Sequence, residues 1–259
     1  MILDDIVRHK KIEIEAAKRA APPERLRASV AALPPRRAVF AGALSREGRV
    51  AVIAEIKKKS PSKGLFRDDF DAVRIARDYE SAGASALSVL TDERFFGGSA
   101  QILRDVRAAV RLPILRKDFI LDEYQVYESR LMGADAILLI AAILSEDELR
   151  SFGALAASLG LDALYEVHGE EDARKVEAVR PGLVGINNRD LRTFEVDTTL
   201  TARLAPRFLG HALVVSESGI QSREDLLYLK GLGVRAALVG ESLMKQKDVA
   251  GALRRLLGE

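Results

Sequence analysis

Val50-Ala51-Val52-Ile53-Ala54-Glu55-Ile56-Lys57-Lys58-Lys59-Ser60-Pro61-Ser62-Lys63-Gly64 changes character half-way along. Its first part, Val50 to Ile56, is an apolar run of strand length and reads as buried. Glu55 and Lys57 then stand two residues apart, so on a strand both side chains point to the same face. Opposite charges at the end of a buried strand belong at the mouth of something. Taking them out of water costs several kcal/mol, about what their attraction returns, so stability alone does not explain them. Ser60-Pro61-Ser62-Lys63-Gly64 cannot continue the strand and reads as a loop.

The same grammar repeats downstream. Apolar runs at Ala84–Leu90, Pro113–Arg116, Ala136–Ile140, Ala163–Val167, Leu183–Asn187, Ala212–Ser216 and Ala236–Val239 alternate with helical stretches. Strands alternating with helices build a parallel sheet from βαβ units. Gly83, Gly133, Gly160, Gly182, Gly210 and Gly233 each precede a run, where a glycine ends a helix in the left-handed conformation. Eight such units in a chain of this length predict an α/β fold, a closed (β/α)8 TIM barrel. The competing open, doubly wound sheet usually carries G-x-G-x-x-G in its first turn, and the chain has none.

Residues 1–45 have a different pattern. Leu3, Ile6, Val7, Ile14 and Ala17 recur at helical spacing, with Arg8, Lys10, Lys11 and Lys18 largely off that stripe. Pro22 and Pro23 break this helix, and a second one, Glu24 to Ala32, stops before Pro34 and Pro35. The expected division is therefore a helical extension, residues 1–45, packed on a catalytic barrel, residues 46–259.

Composition narrows the function. In 259 residues, 48% hydrophobic and 30% charged, the net charge is only +2, which gives no global case for nucleic acid or membrane. There is no cysteine, which removes disulfides and thiolate chemistry, and His9, His168 and His211 have no metal-ligand spacing. The start of the chain is acidic, not a secretory signal, and no apolar run reaches the ~20 residues of a membrane span. The expectation is a cytoplasmic protein, a monomer or weak homodimer, with no metal and no cofactor.

Polar residues fall after the strand runs and not before them. Glu55 and Lys57 follow the first, Lys117 and Phe119 the third, Glu166 the fifth, Asn187 and Arg189 the sixth. Glu217-Ser218-Gly219 follows the seventh, and Gly240-Glu241-Ser242 the eighth. Barrel active sites lie at that end of the strands. The two late glycine turns suit a phosphate, held by backbone N–H groups. The other groups are acid–base equipment for a substrate bearing a phosphate, a carboxylate and a carbonyl.

Four motifs carry a resemblance. They are Ile53-Ala54-Glu55-Ile56-Lys57-Lys58-Lys59-Ser60-Pro61-Ser62, Leu115-Arg116-Lys117-Asp118-Phe119-Ile120, Gly185-Ile186-Asn187-Asn188-Arg189-Asp190-Leu191 and Ser216-Glu217-Ser218-Gly219-Ile220. With Phe95-Phe96-Gly97-Gly98-Ser99, the chain resembles the indole-3-glycerol-phosphate synthases of tryptophan biosynthesis over nearly its whole length. The resemblance implies a carboxy-lyase that closes a ring on 1-(2-carboxyphenylamino)-1-deoxyribulose 5-phosphate, with loss of CO2 and water. It implies a catalytic set of Glu55, Lys57, Lys117, Glu166, Asn187 and Glu217. Lys117 would be the general acid on the ketone and Glu166 its acid–base partner. Glu55 would assist dehydration, and Lys57 would meet the substrate carboxylate or donate a proton in dehydration. Ser60 and Arg189, with Asn187, would position the substrate. Phe96, Phe119, Leu138 and Leu191 would wall the aromatic ring, and Ser218, Gly219, Gly240 and Glu241 would hold the phosphate. Burial and nearby cations are expected to lower the Lys117 pKa toward neutrality.

Two other readings use the same inventory. A sugar-phosphate isomerase would want a Cys/Asp or Asp/Asp pair where this chain has Glu55-x-Lys57 and Glu166. A non-catalytic phosphometabolite-binding protein would tolerate loss of Lys117 and Glu166.

Overall fold

Eight parallel strands form where the apolar runs lie in the computed structural model, which describes residues 2–45, 48–191 and 193–259. They are β1 (Ala51–Ile56), β2 (Ala86–Leu90), β3 (Ile114–Lys117), β4 (Ala136–Ile140), β5 (Asp162–Val167), β6 (Leu183–Asn187), β7 (Leu213–Glu217) and β8 (Ala236–Val239). β8 pairs in parallel with both β7 and β1, so the sheet closes in the order β1-β8-β7-β6-β5-β4-β3-β2. The architecture is the expected (β/α)8 barrel. Strand ends fall within two residues of the sequence reading.

The two-residue period sorts each strand between two apolar layers. Ile53, Leu115, Leu138, Leu164, Val215 and Leu238 share one buried cluster and fill the barrel. Val52, Val89, Ile137, Val184 and Val239 join the other cluster, beneath the helices. Each fully buried Leu or Ile contributes about 1.5–3 kcal/mol, so this double layer dominates the stability. It also fixes register: Glu55, Lys117, Glu166 and Glu217 continue the inward series of their strands.

The outer helices are α4 (Ala72–Ser81), α5 (Ala100–Ala109), α6 (Glu123–Met132), α7 (Glu146–Ser158), α8 (Glu170–Val179), α9 (Thr199–Leu204), α10 (Arg223–Gly231), α11 (Glu241–Met244) and α12 (Val249–Leu257). Asp71, Ser99, Asp122, Ser145, Ser222 and Asp248 cap α4, α5, α6, α7, α10 and α12 through side-chain oxygens. Of the six glycines expected to end helices, Gly83, Gly133, Gly160 and Gly233 are left-handed. Gly182 and Gly210 are not. Arg180, at φ 56°, takes the left-handed position at the end of α8 instead, leaving Gly182 an ordinary connector.

Ahead of the barrel come α1 (Ile2–Ala20), α2 (Pro23–Ala31, with Pro23 in its first turn) and α3 (Phe40–Leu44). The sequence reading did not anticipate α3, which is too short to show a period. Its Phe40 and Leu44 are fully buried and belong to the cluster that includes Ala51, Ala86, Ala136 and Ala236, at strand starts, so α3 plugs the floor of the barrel. α1 lies near the opposite mouth. Lys10, expected on its solvent side, is 4% exposed. Its Nζ lies 3.1 Å from Asp92, 3.0 Å from Asp118 and 2.6 Å from Glu13. Tyr124 on α6 donates to the carbonyls of Ala17 and Ala21, holding the other end of α1. The expected 45/46 boundary adjoins residues 46 and 47, which lie outside the described residues. Among the described residues, no helix is long and apolar enough to cross a membrane.

Candidate active site

Every residue singled out from the sequence as catalytic or substrate-binding lines one cavity of about 560 Å³. It lies over the C-terminal ends of the strands. Lys117 occupies its deep end. The ammonium lies 2.8 Å from Glu166 Oε2 and 2.5 Å from Glu217 Oε2, joining β3, β5 and β7 across the barrel. Asp118 points to the other face, as its adjacent position requires, and binds Arg116 at 3.0 Å and Thr91 Oγ1 at 2.5 Å. A glycine at 185 makes room for Glu217. A Cβ there would lie 2.3 Å from Glu217 Oε1.

Burial alone would drive the Lys117 pKa down. The carboxylates of Glu166, Glu217 and Glu55 outweigh it, and the net shift is upward. The expectation of a lowered lysine is therefore wrong: its near neighbours are anions and not cations. The two carboxyls separate in the opposite sense. Burial opposes ionisation of Glu166, but Lys117 and His168 overcome it and hold the carboxyl well below the usual range. Glu217 is pushed up to about 8 by burial and by the charge of Glu166, against the pull of Lys117. One lysine thus stands between an ionised carboxylate and one that retains its proton to neutral pH.

A second pair lies on β1 and the residue beyond it. Lys57 Nζ is 2.5 Å from Glu55 Oε1 and sits 5.3 Å from the centre of the Phe66 ring. The stretch after Lys57 is more ordered than the expected loop: Lys59–Ser60 pairs antiparallel with Gly64–Leu65, and Lys59 donates to the carbonyls of Phe96 and Arg94. Phe96 and Phe119 lie with ring centres 6.0 Å apart and, with Leu138 and Leu191, give the cavity an apolar wall. Asp92 Oδ1 accepts the N–H groups of Phe95 and Phe96 and fixes that aromatic loop.

The wider end is built on β6, β7 and β8. Asn187 Oδ1 accepts from Ser218 Oγ at 2.8 Å and from Arg189 N at 3.1 Å, so the amide nitrogen is what it can offer a ligand. Ser218 and Gly219 are both left-handed, at φ 67° and 83°. Asn188 stabilises that turn by donating to the Ser218 carbonyl at 2.9 Å while its oxygen accepts from Thr201. The N–H groups of Gly219, Gly240 and Glu241 donate no hydrogen bond to another described residue. Such a concave set of free N–H groups suits an anion. Arg189 is 3.0 Å from Glu241, which also meets Lys245 at 2.7 Å.

A model of the indole-3-glycerol phosphate synthase family matches residues 3–256. The chain belongs to that family. It is 48% identical over 248 residues to the indole-3-glycerol phosphate synthase of Caldanaerobacter subterraneus, covering 96% of this chain and 95% of that one. It is 49% identical over 256 residues to the synthase of Rhodopirellula baltica, covering 99% and 98%. Among solved structures, a tryptophan synthase alpha-subunit from Pyrococcus furiosus superposes with a TM-score of 0.62 at 15% identity, covering 82% of this chain and 99% of that one; this likeness is one of fold.

Four members of the neighbourhood escaped the sequence reading. Asp92 and Lys10 come together only through the docking of α1. His168 could have been found: it stands two residues beyond Glu166 and so on the same side of β5. Gly185 carried a similar signal, because glycine at an inward strand position marks a close approach.

Proposed function

We infer that this chain is an indole-3-glycerol phosphate synthase. It converts 1-(2-carboxyphenylamino)-1-deoxyribulose 5-phosphate to indole-3-glycerol phosphate, CO2 and water. The observation that carries this reading is the Lys117–Glu166–Glu217 centre, set in the same cavity as an aromatic wall and a turn of free N–H groups.

The roles proposed are those the family resemblance implies, and the geometry supports them. The phosphate sits on the N–H groups of Gly219, Gly240 and Glu241, beside Ser218. The aromatic ring lies against Phe96, Phe119, Leu138 and Leu191. Lys57 takes the ring carboxylate, with Ser60, Asn187 and Arg189 fixing the chain between. In this reading the ketone meets Lys117. A lysine that stays protonated can give its proton to the ketone oxygen, making that carbon electrophilic for the ring carbon bearing the carboxylate. Loss of CO2 returns its bonding electrons to the ring. Glu166 accepts and returns protons beside Lys117. Glu55, next to Lys57, takes the proton whose removal accompanies departure of the hydroxyl as water. Glu217 keeps the lysine placed and supplies a proton.

We further propose that residues 1–45 act as an extension clamped on the barrel of residues 46–259, and that the protein works in the cytoplasm as a monomer or weak homodimer. The cysteine-free composition and the modest net charge support this. Mass spectrometry of a reaction with the synthetic substrate tests the activity. The product should be lighter by one CO2 and one water. Recovery of an isomer of unchanged mass would instead support a sugar-phosphate isomerase.

A further inference from the structure

His168 follows β5 directly, two residues after Glu166, and does not line the cavity. Its side chain is 8% exposed. Nε2 lies 3.2 Å from Glu166 Oε1, and Nδ1 lies 3.7 Å from Asp172 Oδ2 on α8. Asp172 is itself held by the His168 backbone N–H at 3.0 Å. Glu166 therefore has a nitrogen near each oxygen: Lys117 is hydrogen-bonded to Oε2, and His168 Nε2 lies within ion-pair distance of Oε1, outside hydrogen-bond geometry. Glu217 has Lys117 on Oε2, and its Oε1 is buried without a hydrogen-bond partner among the described residues. The two carboxyls that share Lys117 are not equivalent, and the difference is the imidazole.

We propose that His168 is a positioning residue whose imidazolium, seated between Glu166 and Asp172, keeps Glu166 ionised and leaves the exchangeable proton of the cluster on Glu217 Oε1. The charged groups facing it are Glu166 from β5 and Asp172 from α8. Through Glu166 it faces Lys117 on β3 and, beyond that, Glu217 on β7. A single ammonium cannot neutralise two buried carboxylates, so one must bind a proton, and the histidine decides which. The shifts agree: burial would lower the imidazole, but Glu166 and Asp172 raise it to about 9. His168 thereby divides the labour, with Glu166 a base and Glu217 an acid on either side of Lys117. Its effect on turnover rests on the activity inferred above, whereas its charge state does not.

Two experiments test this. The chain has only His9, His168 and His211, so a 15N-imidazole NMR titration of the intact protein is readily assigned, with His168→Asn identifying the signal. At pH 7.5 His168 should be doubly protonated, losing its proton near pH 9; a neutral imidazole at pH 7.5 overturns the proposal whatever the enzyme does. The second measurement is the pH dependence of kcat/KM. His168→Asn keeps a polar side chain but no charge. It should move the acidic limb upward by on the order of one pH unit, because Glu166 now protonates more easily. It should lower kcat on the acidic side of the profile while changing KM little. His168→Lys, which restores a cation, should return part of the loss. A folded His168→Asn enzyme with an unmoved acidic limb would contradict the proposal.

Discussion

Gly240→Ala adds one carbon at a position where the structure has no room. A Cβ on Gly240 would lie 2.4 Å from Glu55 Oε1 and 3.0 Å from both Cβ and Cδ of Glu55, where ordinary contact begins at 3.4 Å. Gly240 has φ −126°, outside the left-handed region that favours glycine, so the close contacts set the effect of alanine. Glu55 is 4% exposed on a paired strand, so the side chain must yield by roughly 1 Å. That movement takes its carboxylate off Lys57, now 2.5 Å away. A displacement of about 1 Å in a catalytic group costs about 10²-fold in rate. Overpacking costs about 1–3 kcal/mol, a loss of roughly 2–12 °C in Tm for a chain of this size. Steady-state kinetics should therefore show a fall in kcat, beyond the rise in KM expected of a phosphate-turn residue. The double variant Glu55→Ala/Gly240→Ala isolates the cause. With Glu55 shortened, the contacts to Oε1 and Cδ are gone and only the 3.0 Å contact to Cβ remains, so the second substitution should cost kcat much less than it does alone. Wild-type kcat in Gly240→Ala, or losses that multiply in the double variant, would refute the reasoning.

Lys117→Arg keeps the charge but cannot readily give up a proton, so kcat should fall on the order of 10²-fold or more, as for Lys117→Ala; near-normal turnover in the arginine enzyme would reduce Lys117 to an electrostatic anchor. Lys10→Met leaves the buried Asp92 and Asp118 without their shared cation and should destabilise the protein by about 3–5 kcal/mol, read from the urea midpoint. A change below about 1 kcal/mol would mean that Arg116 and the Phe95 and Phe96 N–H groups suffice. The folded-state pKa of His168 is raised from 6.5 to about 9, so its stabilisation is fully present below pH 6.5 and lost as pH rises through 9. The unfolding free-energy difference between wild type and His168→Asn should shrink by roughly 3 kcal/mol from pH 6 to pH 10; a constant difference would mean that the residue is not charged in the fold.

The barrel was legible because two periods write it. Alternation within each strand and the strand–helix repeat are local, and they put Glu55, Lys117, Glu166 and Glu217 at the C-terminal ends of their strands. The polar ends of the strands made the cavity-lining set readable for the same reason. Features that depend on distant parts of the chain were not readable. The sign of the Lys117 shift depends on carboxylates from β5 and β7 converging on it, and sequence spacing gives no distance between strands. Lys10 read as a solvent residue because its partners, Asp92 and Asp118, are far along the chain. α3 was missed because five residues show no period, although its two large apolar side chains close the barrel floor. Arg180 took a left-handed turn that glycine was expected to fill, which a local preference permits but does not predict.

The most direct test of the central claim is to mix the purified protein with 1-(2-carboxyphenylamino)-1-deoxyribulose 5-phosphate, without added metal or cofactor, and follow indole fluorescence. The fluorescence of indole-3-glycerol phosphate should rise with catalytic turnover, and Lys117→Ala should slow that rise by on the order of 10²-fold or more. Substrate bound but unconverted by the wild-type protein, or equal turnover by Lys117→Ala, would contradict the account.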